Sequence, residues 1–136
     1  DLHSFPTRRS SDLEMEFEVE FYETTDGDKP AKDFLISLDN KMRAKMASMI
    51  SLLQENGYNL REPYSKHLSE GIFELRAKVG SDITRVMYFF YIDRRVILTN
   101  GFVKKTKKTP LKELEKAKKY RQDYLRRKGV DDGRKV

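Results

Sequence analysis

At 136 residues the chain has room for one domain with a modest core. The absence of cysteine rules out both a disulfide framework and a thiolate metal site. The net charge of +6 is uneven: residues 14–103 hold 12 Lys/Arg against 15 Asp/Glu, net −3, whereas residues 104–136 hold 14 against 5, net +9. A basic C-terminal third favours a polyanionic partner, usually nucleic acid, through faster encounter and counterion release; the plainer alternative is a solvated basic tail. No apolar run approaches the roughly 20 residues of a membrane span, and nothing near the start has the apolar centre of a secretion signal. A cytoplasmic protein with no membrane partner is expected.

In chain order, DLHSFPTRRSSDL resembles the translation of a sequencing-adapter oligonucleotide, so residues 1–14 are read as a non-native leader and the start is placed at Met15. Residues 16–22 alternate strictly, with Phe17, Val19 and Phe21 on one face and Glu16, Glu18 and Glu20 on the other. That pattern predicts a half-buried strand with an edge kept in water. TTDGDK is a turn, and Pro30 opens a helix with Ala31, Phe34, Leu35 and Leu38 as its stripe. After Asp39 and Asn40 a second helix carries Met42, Met46, Met49, Ile50 and Leu53 at helical spacing and stops at Asn56-Gly57. The two read as a helical hairpin laid on a sheet, its methionines in the core.

Residues 58–70 read as a loop that carries Lys66 and His67 up to the first central strand. Next, VGSD is the turn between strands over 72–78 and 83–91. A two- or four-residue loop there sets Lys78 opposite Ile83, Leu75 opposite Val86 and Arg76 opposite Arg85. Opposed like charges destabilise a bare hairpin. They make sense with an anion between them, or with Glu74, on the same face, neutralising one. A turn at Asp93-Arg94 leads to a strand over 95–102, with Phe90 opposite Ile97 and Phe89 opposite Leu98. Both faces there are apolar and need cover, from the helical hairpin on one side and a C-terminal helix on part of the other. That helix starts at Thr109-Pro110, with Thr109 as N-cap, buries Leu111, Leu114, Ala117, Tyr120, Tyr124 and Leu125, and ends at Gly129. Residues 129–136 read as a disordered tail.

The sequence holds no phosphate loop, zinc spacing or nucleophile motif. What remains is a basic, aromatic-lined surface: Lys66, His67, Arg76, Arg85, Lys104, Lys105, Lys107 and Lys108. RNA carries its own nucleophile, the 2'-OH, so cleavage needs alignment, charge stabilisation and two proton transfers rather than a metal. Arginine forks suit the phosphate. The general base is open between His67, whose imidazole suits proton transfer near neutral pH, a lysine of lowered pKa, and a tyrosine such as Tyr91.

The order strand, two helices, three strands, helix, with an ELR strand, a TRVMYFF strand and GFVKKTKKTP running into a Lys-rich helix, resembles the RelE/ParE superfamily of toxins from type II toxin-antitoxin systems. It is most similar to the HigB-like, phage-derived branch, over residues 16–127. The resemblance implies an α+β, RelE-like domain over residues 15–128. Its sheet would be small, twisted and mainly antiparallel, in the order β-α-α-β-β-β-α, with an N-terminal helical hairpin and a basic C-terminal helix. It further implies a metal-independent, cofactor-free endoribonuclease that cleaves mRNA on the ribosome and so inhibits translation. The partners would be a helix-turn-helix antitoxin, the ribosome and mRNA, with operator DNA met only through the antitoxin. By position, Arg76 corresponds to the family's phosphate-gripping arginine and Arg85 to the basic residue on the next strand. Lys66 falls in the basic stretch before the sheet and, with His67, is a candidate for proton transfer. Lys104 and Lys105 match a functional basic position on the last strand, and with Lys107 and Lys108 they would bind backbone. RelE-like toxins can carry a tyrosine just after that position; here the residues are TKKT, and Tyr120 and Tyr124 lie deep in the helix. Two rivals stand beside this reading: a ParE-like inhibitor of DNA gyrase, and a noncatalytic nucleic-acid-binding protein.

Overall fold

The computed structural model describes residues 16–104 and 108–129. The expected leader over 1–14, the start at Met15, Lys105, Lys107 and residues 130–136 of the tail lie outside the described residues. The elements are β1 (Glu18–Phe21), α1 (Pro30–Ser37), α2 (Asn40–Asn56), β2 (Ser65–Ser69), β3 (Ile72–Val79), β4 (Asp82–Tyr91), β5 (Arg95–Lys104) and α3 (Leu111–Arg127). One five-stranded mixed sheet runs in the order β1-β5-β4-β3-β2. β1 is parallel to β5, and every other neighbouring pair is antiparallel. The class is α+β, with α1 and α2 on one face and α3 on part of the other.

Each helix is placed by identifiable side chains. Asp39 caps α2, its Oδ1 accepting from the Met42 N–H at 2.8 Å. Arg43, one turn into α2, turns back onto the end of α1 and donates to the Leu35 carbonyl at 3.1 Å and the Ile36 carbonyl at 3.0 Å. Both carbonyls belong to the last turn of α1, where the helix runs out of its own donors; that of Leu35 also accepts from the Leu38 N–H at 3.2 Å. α1 then rests over β5 and α2 over β3. The methionine stripe is core as expected: Met42, Met46, Met49 and Leu53 are buried against Leu75, Val86, Tyr88 and Leu98. Gly57, at φ 49°, ends α2 where a Cβ would stand 2.0 Å from Phe17 Cε1, so no other residue fits.

The second core lies under α3, where Ala117 and Tyr124 pack on Ile72, Met87, Phe89, Tyr91 and Ile97. Glu20, expected to face water, instead accepts from the Tyr124 hydroxyl at 3.1 Å, and Asp123 accepts from Tyr22 at 2.6 Å. These two bonds tie the edge strand to the C-terminal helix.

Four further expectations need correction. The 58–70 loop contains β2, so a strand precedes the three expected central ones. SKHLS has one aliphatic residue and no apolar alternation, so the ladder with β3, not periodicity, makes it a strand. The β3–β4 register is as expected, with Arg76 opposite Arg85, but β4–β5 is displaced by one residue near its turn. Phe89 faces Ile97 and Phe90 faces Val96, because Ile92 joins Asp93 and Arg94 in the connection. A bulge at Thr99 absorbs the extra residue, after which Met87 faces Asn100 and Arg85 faces Phe102. Thr109 does not cap α3; Pro110 occupies the cap position and makes no side-chain bond. Leu111, expected in the buried stripe, is 70% exposed.

No helix among the described residues is long and apolar enough to cross a membrane.

Candidate nucleic-acid interface

Strand alternation decides what the α3 side of the sheet displays beyond the start of that helix. On β3 it brings up Glu74, Arg76 and Lys78; on β4, Arg85; on β5, after the Thr99 bulge, Phe102 and Lys104. Lys66 of β2 pairs with Glu74, so it joins the same face. Without the bulge Lys104 would point to the opposite face. The irregularity in β5 is therefore what brings its last cation into the group.

At the centre stands Glu74, whose side chain has no solvent exposure. A buried carboxylate must be paired, and this one is. Oε1 accepts from Nη1 of Arg85 and lies 3.5 Å from Nε of Arg76. Oε2 accepts from the Thr109 hydroxyl at 2.6 Å. One carboxylate thus holds two opposed arginines and the entrance to α3. Among the described residues, Nε of both Arg76 and Arg85 is buried without a hydrogen-bond acceptor. The arginines differ in access: the Arg76 side chain is 23% exposed and that of Arg85 is 6%.

The electrostatics follow from crowding. Burial pushes the Arg85 pKa down, Glu74 opposes this, and Arg76 adds to the lowering. Burial also lowers the pKa of Lys104; Arg85, Arg76 and Lys66 reinforce the shift and Glu74 resists it. Four cations around one carboxylate leave a surplus of positive charge, which an anion with several oxygens would relieve.

The remaining candidates are elsewhere. His67 pairs with Phe73, its ring 4.9 Å from the Phe73 ring, on the α1/α2 side and so across the sheet from Lys66. Lys108 is exposed, just before α3. Tyr91 is buried against Tyr124, ring centroids 5.1 Å apart. It lies six residues along β4 from Arg85, roughly 20 Å at strand rise. Tyr120 stacks on Tyr22 at 4.6 Å, near β1. Among the described residues no cluster of three His, Asp or Glu side chains could hold a metal ion.

The model described as "Phage derived protein Gp49-like (DUF891)" matches residues 33–122, more than half of the chain. The chain belongs to the phage-derived Gp49-like family. That family is generally one of toxins from toxin-antitoxin systems, which implies an antitoxin as partner. No curated protein matches the chain. In this Gp49-like protein the matched residues include Lys66, Glu74, Arg76, Arg85, Lys104 and Thr109. Thr109 was legible in the sequence only as a helix cap; its bond to Glu74 spans 35 positions and has no local signal.

Proposed function

We propose that this Gp49-like protein is a toxin of the RelE/ParE superfamily, of the HigB-like branch, acting as a ribosome-dependent, metal-independent mRNA endonuclease. The observation that carries the reading is the pair Arg76 and Arg85, set opposite one another on one buried Glu74 with Lys66 and Lys104 beside them. In this reading Arg76, the more exposed arginine, grips the scissile phosphate and meets the charge that builds as the 2'-OH attacks. Arg85 acts from beneath, adding positive potential and fixing Glu74. Proton transfer falls to Lys66 and Lys104, which share the face; burial, reinforced by Arg85, favours the neutral amine at Lys104 and suits it to accept a proton. His67, across the sheet, takes no part in the step. Lys105, Lys107 and Lys108 follow Lys104 in sequence and hold the message backbone.

Controlled expression of residues 15–136, with 5' ends mapped across translated and untranslated messages, tests this. Cuts confined to translated regions, in fixed relation to the reading frame, are expected. Growth arrest with intact messages would replace the nuclease with the gyrase inhibitor. Salt-dependent binding to free RNA with neither cleavage nor arrest would leave a binding module.

A further inference from the structure

A groove of about 520 Å³ opens at the edge of β3, just before β2 begins. Its size falls within the range of small-ligand sites. Its walls divide by chemistry. Arg76, Arg85, Lys78 and Lys45 supply positive charge, no Asp or Glu among the described residues lines it, and Met49, Pro63, Ile83 and Tyr64 supply apolar surface. Nε of Arg76 and of Arg85, like that of Arg121 away from the groove, is buried without an acceptor among the described residues. Tyr64 is 47% exposed although it stands beside the sheet. Its carbonyl accepts from the Arg76 N–H at 2.9 Å, which fixes the tyrosine next to the phosphate-binding arginine. An acidic or aliphatic ligand would use one kind of wall; a nucleotide uses both.

We propose that this groove is a base subsite, in which Tyr64 stacks on one nucleobase of an RNA strand whose phosphate lies on Arg76. The proposal rests on the reading of RNA as the ligand and adds where a base is held. Aromatic faces bind bases with little regard to identity, whereas the apolar wall of Met49, Pro63 and Ile83 restricts how the ring can lie. The groove therefore contributes to which nucleotide sits beside the cut. α2, through Lys45 and Met49, becomes part of the binding surface as well as of the core.

The test uses the full chain and two probes, a ribotrinucleotide and the same phosphate-sugar chain without bases, with affinities read by NMR titration. Tyr64→Ala should weaken trinucleotide binding roughly tenfold or more and leave affinity for the baseless chain unchanged. Tyr64→Phe, which keeps the ring, should bind like the parent. Equal trinucleotide affinity in parent and Tyr64→Ala would overturn the proposal, as would no binding by the parent or an equal loss in Tyr64→Phe. Weakened antitoxin binding in Tyr64→Ala with unchanged trinucleotide affinity would assign the groove to a protein partner and overturn it too. Message cleavage is scored separately, so the nuclease reading can fail while the base subsite stands, and the reverse.

Discussion

Glu74 and Arg85 form an ion pair sealed into the face of the sheet, with the carboxylate fully buried and the guanidinium nearly so. Breaking such a pair from one side strands the other charge, at a cost of about 3–5 kcal/mol. Glu74→Ala and Arg85→Ala should each lower the unfolding free energy measured in urea by that order. A double Glu74→Leu/Arg85→Met variant, which removes both charges and keeps the volume, should lie closer to the parent than either single change. Additive losses in the double variant would show that the pair is not a coupled unit.

Thr109 makes the charged hydrogen bond that anchors the start of α3 to the same carboxylate. Thr109→Val keeps the shape and removes the donor, and should cost about 1.5–3 kcal/mol by chemical denaturation. Thr109→Ser should retain most of the stability. An N-cap would show the same preference for serine, so the deciding measurement is a double-mutant cycle with Glu74→Gln. Coupling near zero would return Thr109 to a helix-capping role.

The alkaline limit of stability has a stated sign. Tyr22, Tyr88 and Tyr124 are pushed up to about 12 from the ordinary tyrosine value of 10.0, first by burial. The folded state therefore holds their protons longer than the unfolded chain does. Their contribution is complete below pH 10 and is lost as pH rises through about 12. Followed ring by ring by NMR, ionisation of Tyr22, Tyr88 and Tyr124 should coincide with loss of the folded signal. Ionisation of these three rings near pH 10 with the fold intact would contradict the burial described for them.

Lys104 offers an activity prediction of opposite sense. Its ammonium is easier to deprotonate than an ordinary lysine, so as a proton acceptor it should make the cleavage rate climb with pH toward that lowered value. Lys104→Arg preserves the charge and removes the titration, and should flatten the climb while lowering the rate. An unchanged pH profile in Lys104→Arg would leave Lys104 as a phosphate contact only.

The legible and illegible parts of this fold divide along local against non-local causes. The β3–β4 register could be read because one short turn and strict alternation leave few choices, and with it came the opposition of Arg76 and Arg85. The α2 stripe was readable for the same reason of periodicity. β2 was hidden because Ser65–Ser69 is a polar edge strand held by its neighbour. That one omission conceals the fact that Lys66 and His67 face opposite sides. The Thr99 bulge has no periodic signature either, yet it sends Lys104 to the basic face. Thr109 illustrates the general limit: a residue suited to a local role is taken up by a buried partner 35 positions away.

In the proposed reaction Arg76 stabilises the phosphate during cleavage on the ribosome. Its side chain reaches solvent and shares Glu74 with Arg85, so Arg76→Ala should preserve the fold while removing the contact to the reacting phosphate. The most direct measurement is single-turnover cleavage of a message held in the ribosomal A site, comparing purified parent and Arg76→Ala at equal occupancy. A loss of about 100-fold or more in rate, with unchanged circular dichroism and ribosome binding, is expected. Parental cleavage by a normally folded Arg76→Ala protein would contradict the account.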